Sequence, residues 1–111
     1  MRKARSPLPP RAAHALVKLG ADLKNLRRRR RMPMAYVADR ASISRSTLYK
    51  VERGDPSVGL GIYATVLLGY GMIERLECLV DARYDRAGLA LDEARLPSRI
   101  SRTGAAPSTP R

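Results

Sequence analysis

The chain has 111 residues, and its 22 Lys and Arg against 10 Asp and Glu give a formal charge of +12. That length suits one small domain with tails, around a core too modest to wall a large catalytic cleft. There is no Trp, no Phe and a single His, and no paired carboxylates, nucleophile–base couple or phosphate loop stands out, so neither an enzyme nor a cofactor is expected.

The charge is unevenly spread. Residues 1–31 hold 11 cations and one anion, Asp22, whereas residues 32–96 hold 8 cations and 9 anions. Arg99, Arg102 and Arg111 make the end basic again. A near-neutral body with basic ends predicts a polyanionic partner, with nucleic acid ahead of an anionic membrane or an acidic protein. The lone Cys78 forms no intramolecular disulfide, which predicts a reducing, cytoplasmic setting. Its apolar surroundings predict a small core residue rather than a nucleophile. His14 has no ligand-type neighbours, which argues for a surface helix position and against a metal site.

In chain order, "MRKARSPLPPR" at 1–11 is Pro- and Arg-rich and lacks the apolar run of a secretory leader. It predicts a flexible basic arm, either reaching a DNA minor groove or serving merely as a terminus. From Ala12, Leu16, Leu19, Leu23 and Leu26 recur at helical spacing and predict an amphipathic helix. The run Arg27–Arg31 closes it, where cations suit the carboxyl end of the dipole. Pro33 stops that helix and opens a second over 34–41, with Val37, Ala38 and Ala41 inward. Ser44 caps a third, running to Arg53, and Gly54 supplies its left-handed exit. Ser57 caps a fourth over 58–68, a buried core helix ended by Gly69. The uncharged run 58–73 is too short and too glycine-rich to span a membrane. Met72, Ile73, Leu76, Leu79 and Val80 predict a fifth helix over 72–83. Beyond Tyr84 the pattern weakens to a turn or two of helix around 89–96, cut by Pro97. The predicted organisation is therefore an all-α protein: a disordered basic arm at 1–11, a helical domain at 12–83 with its motif near 34–53, and a mostly flexible tail at 84–111.

Two short helices joined by about three residues form the pattern of a helix-turn-helix. Leu48 and Val51 pin the second helix, Ile43 plugs the turn, and the 3.6-residue period forces residues 45, 46, 49 and 50 outward. Such a face enters the major groove of DNA. The segment "LGADLKNLRRRRRMPMAYVADRASISRSTLYKVERGDPSVGLGIYATVLLGYG" resembles the Xre-type, lambda-repressor-like helix-turn-helix family. The resemblance lies in L-x-x-L-R, in the run from Ala38 to Gly54, and in the D-P-S-V just after it.

The resemblance implies a five-helix DNA-binding fold that acts as a homodimer on an inverted repeat. Arg45, Ser46, Tyr49 and Lys50 match base-reading positions, although the Tyr49 ring can equally cover the edge of the core. Ser44, Thr47 and Arg53 match phosphate positions, and Arg28, Arg30 and Arg31 extend that set by charge. Arg27 and Glu52 match an ion pair between the first helix and the reading helix. Leu76, Leu79 and Val80 match the segment that supplies a dimer contact. Met34 departs from the pattern, standing where a phosphate-binding Gln is usual. The stretch "GLALDEARLPSRISR" resembles the segment after the DNA-binding domain of HipB-like antitoxins, whose partner is a HipA-like kinase toxin. The function implied is a cytoplasmic, nucleoid-associated transcriptional repressor on double-stranded DNA. The alternatives are a protein-interaction module and a nonspecific nucleic-acid binder using the same basic face.

Overall fold

The computed structural model describes residues 7–95. Most of the expected basic arm and the segment beyond Arg95 lie outside the described residues. Among these residues there are six α-helices, one 3₁₀ turn and no strand. The chain divides into two compact units between Leu76 and Glu77, earlier than the boundary at 83/84 that composition suggests.

In the first unit, α1 (Pro10–Arg29) starts before the expected Ala12, because Pro10 takes a first-turn position where its missing N–H costs nothing. Arg30 caps α1 and Arg31 is left-handed at φ 54, so the five-Arg run straddles the helix end. Leu23 and Leu26 are buried and Leu16 and Leu19 half-buried, one stripe as the spacing requires. Pro33 is extended at φ −70, ψ 151 and caps α2 (Met34–Arg40) rather than forming its first residue. That helix buries Val37 and Ala38, with Ala41 just past its end. Ser42, at φ 57, makes the turn, and Ile43 packs against the core. In α3 (Arg45–Arg53), the Ser44 hydroxyl accepts from the Thr47 N–H at 3.0 Å, and Gly54 exits at φ 72.

α4 (Leu60–Gly69) is capped by Gly59 rather than by Ser57. The Ser57 N–H instead donates to Asp55 Oδ1 at 2.9 Å, which holds that carboxyl below the usual range. The left-handed exit is Gly71, at φ 76, because Tyr70 still bonds back to Val66 and Leu67 and delays the turn. α4 carries no charge, yet only Tyr63 and Val66 are buried within it, and Leu60 and Leu68 are exposed. The expected buried helix is thus buried on one side. α5 (Ile73–Glu77) is far shorter than the expected 72–83.

In the second unit the chain turns at 78–80, forms a 3₁₀ turn (Ala82–Tyr84) capped by Asp81, and ends in α6 (Arg86–Arg95). α6 lies within the expected tail, starting earlier than the turn or two of helix expected around 89–96. Val80 is 90% exposed and Leu79 68%. Among the described residues these two side chains gain little burial, and an apolar rhythm that buries little does not extend a marginal helix past Glu77. Cys78 is half-buried rather than a core residue.

The core of the first unit centres on Leu48, Val51 and Val66, each below 2% exposure. Its tightest contact joins α1 to α3. A Cβ built on Gly20 lies 2.6 Å from the Val51 carbonyl oxygen, 2.7 Å from that of Glu52 and 2.7 Å from the Gly54 nitrogen. Alanine in a helix interior ordinarily stabilises by about 1 kcal/mol over glycine. Here the sign reverses, since backbone cannot give way as a side chain does. Gly20→Ala is expected to destabilise by about 1–3 kcal/mol, a drop in melting temperature of roughly 4–8 °C for each kcal/mol, measured by thermal unfolding.

Candidate nucleic-acid interface

α3 carries two opposed faces. Leu48, Val51 and Glu52 are buried. Ser46, Tyr49, Lys50 and Arg53 recur at i, i+3, i+4 and i+7 and are all exposed, as is Arg45 in the first helical position. A helix places such a set on one stripe. At its head, Ser44 Oγ–H donates to Thr47 Oγ1 at 3.0 Å while Ser44 Oγ accepts from the Thr47 N–H. That leaves the Thr47 O–H proton available to a further acceptor. Tyr49 is 55% exposed, so its ring does not cover the core edge.

The buried face is locked to α1 by an ion pair. Arg27 Nε donates to Glu52 Oε2 at 2.7 Å and Arg27 Nη2 to Oε1 at 3.1 Å, with side-chain exposures of 12% and 5%. A third donation reaches the Met32 carbonyl at 3.1 Å, tying the α1–α2 connection to the same guanidinium. The hydrogen bond with Glu52 pushes the Arg27 pKa above its ordinary value, against the opposing effect of burial.

The other cations divide by environment. Arg28, Arg29 and Arg31 are exposed. Arg30 donates to the Tyr70 carbonyl at 3.0 Å and lies 5.6 Å over that ring, which turns it towards the end of α4. Arg40 donates to the Gly69 carbonyl at 3.3 Å and to Tyr36 Oη at 3.0 Å, and stacks on Tyr36. α4 has no cation in its own last turn, so these two arginines serve its carboxyl end. Sequence reasoning missed Arg40 and Tyr36, whose i, i+4 spacing was the available signal. Met34 is half-buried and packs against the core. Leu76 is half-buried at the end of the first unit, while Leu79 and Val80 lie in the turn after α5 and share no helical stripe with it.

A family model described as a helix-turn-helix domain matches residues 18–76, more than half of the chain. The chain belongs to this helix-turn-helix family. No curated protein and no solved structure matches it. The matched segment contains α2 to α4 and most of α1 and α5, so the two-faced α3 lies well inside the helix-turn-helix domain. Among the described residues no helix is long and apolar enough to cross a membrane.

Glu52→Gln removes the countercharge and leaves Arg27 buried. We expect a loss of about 3–5 kcal/mol in denaturant unfolding, with much of it recovered in the paired apolar variant Arg27→Met/Glu52→Leu, which buries no charge.

Proposed function

We propose that this chain is a sequence-specific transcriptional regulator of the Xre, lambda-repressor-like type, repressing from an inverted-repeat operator as a homodimer. The observation that supports it best is the exposed stripe of α3, polar and basic, directly opposite residues that are completely buried. In this reading α1 to α5 are the five-helix DNA-binding body. Arg45, Ser46, Tyr49 and Lys50 line the major groove, and Arg45 engages guanine O6 and N7 with two hydrogen bonds. Ser44, Thr47 and Arg53 hold phosphates, Thr47 with its remaining hydroxyl proton. Arg28 and Arg31 add phosphate contacts, whereas Arg30, engaged at α4, contributes charge more than contact.

For the dimer, Leu76 in the first unit and the exposed Leu79 and Val80 in the second are the candidate contacts, each taken by itself. The narrower form of the proposal is a HipB-like antitoxin. Its α6, with Leu89 and Leu91 exposed, is then offered to a HipA-like kinase toxin. The protein works in the cytoplasm, on the nucleoid.

Selection from random oligonucleotides, followed by titration of the selected duplex, tests the regulator reading. The selected site is expected to bind about 10³-fold or more tighter than random DNA. Arg45→Ala is expected to remove about 1–3 kcal/mol of that preference while leaving binding to random DNA nearly intact. Equal loss on both duplexes indicates a nonspecific binder, and no loss on either indicates a protein-interaction module. Sedimentation of the protein on its selected site separates one copy from two.

A further inference from the structure

Both helices of the motif carry the same local arrangement, a Tyr followed four residues later by an Arg whose guanidinium lies over the ring. In α2 the pair is Tyr36 and Arg40, at 5.6 Å; in α3 it is Tyr49 and Arg53, at 5.4 Å. The spacing brings them together because helix side chains lean towards the amino end, laying Arg53 back over the turn that holds Tyr49. The two pairs differ in what else the guanidinium touches. Arg40 also donates to the Gly69 carbonyl and to Tyr36 Oη, so it is spent within the body. Among the described residues no ion pair engages Arg53, and both members of its pair are exposed.

An unpaired cation at the carboxyl end of a reading helix sits where that helix rises out of the groove towards the sugar–phosphate backbone. A free Arg side chain there carries large rotamer entropy, which binding must remove. Stacking removes part of it beforehand. The ring holds the guanidinium beside its face, and a ring face occupies none of the N–H groups with an acceptor atom, so they remain free for a phosphate.

We infer that Tyr49 is a positioning residue for Arg53: its ring holds the guanidinium ready for a DNA phosphate, and Tyr49 itself adds no base reading. This rests on the regulator reading for the direction in which α3 faces. It revises one role within it, moving Tyr49 from sequence recognition to phosphate contact. Tyr49 then contributes affinity on every duplex alike.

The test uses the full chain with the duplex selected from random oligonucleotides, its single base-pair variants and random DNA, titrated over a range of salt. Tyr49→Phe keeps the ring and should bind as the wild type does. Tyr49→Leu should weaken binding about 2- to 5-fold on every duplex, the scale of one exposed cation–ring contact. Arg53→Gln should weaken all duplexes and flatten the salt dependence by about 0.9 in log–log slope, one phosphate's share. The double variant should match Arg53→Gln alone, since an absent guanidinium cannot be positioned. Melting temperatures of Tyr49→Leu and Arg53→Gln should fall by only a few degrees, the scale of one exposed contact, so that all variants stay folded at the assay temperature.

A change in base preference in Tyr49→Leu or Tyr49→Phe overturns the inference in favour of direct reading. Additive losses, or no loss in Tyr49→Leu, overturn it too. A wild type that binds all duplexes equally sinks the regulator reading instead, and the coupling of Tyr49 to Arg53 is still decided on random DNA by the salt slope.

Discussion

Backbone meets backbone where α3 ends against α1. Gly20 leaves room for the carbonyls of Val51 and Glu52, and Gly54, left-handed at φ 72, lies against the main chain at Leu16 and Val17. Two turns further along α1, Arg27 holds the Glu52 carboxylate with two hydrogen bonds. The carboxyl-terminal turn of α3 is therefore held from two heights along α1. Translation is limited by the glycines, and rotation of α3 about its own axis is limited by the ion pair. Once rotation is fixed, the 3.6-residue period sets the direction of every outward side chain. A reading face needs that rigidity, because a side chain aimed loosely spends binding free energy on its own ordering.

Local features of this arrangement are legible in the sequence, and nonlocal ones are not. Ser44 announces the start of α3 and Gly54 its end through chemistry that acts within four residues. Leu48 and Val51 announce its buried side by spacing. Gly20 looks like a tolerated defect inside a helix, and only the Val51 carbonyl, far along the chain, gives it a purpose. Gly69 and Gly71 are equally good exits by residue type. The choice between them is made by where Tyr70 packs, and Tyr70 is 6% exposed. The rhythm of Ile73, Leu76 and Val80 promises a long helix, but rhythm states what a helix would bury, not whether a surface exists to bury it.

The arginine run shows the same division within five residues. In the sequence, Arg27 to Arg31 is one block of charge. In space Arg27 lies with Glu52, Arg30 at the carboxyl end of α4, and Arg28, Arg29 and Arg31 in solvent. The left-handed Arg31 bends the chain there and helps to scatter the side chains. α4 explains the demand: it is uncharged, and its final carbonyls at Gly69 and Tyr70 have cations only because Arg40 and Arg30 arrive from elsewhere. Basic residues thus do two jobs here. Some complete the fold, and the remainder set the external field, so net charge alone overstates the positive surface offered to a polyanion.

The amino end of α3 shows where the fold gives way to function. None of the helices from α1 to α4 has an acidic residue in its first turn. In α3 the first position is instead Arg45, a cation set against the positive end of the helix dipole. Stability alone favours Asp or Glu there, by a few tenths of a kcal/mol to about 1 kcal/mol. Ser44 offsets part of the cost as a cap, without cancelling the charge. Local rules of this kind are commonly broken where a surface serves something other than the fold. In the proposed reading, the phosphates and guanine acceptors of a duplex bring negative charge to this helix end and attract both the guanidinium and the positive end of the dipole. The charge arrangement that costs the folded chain stability is then the one that a polyanionic partner would favour.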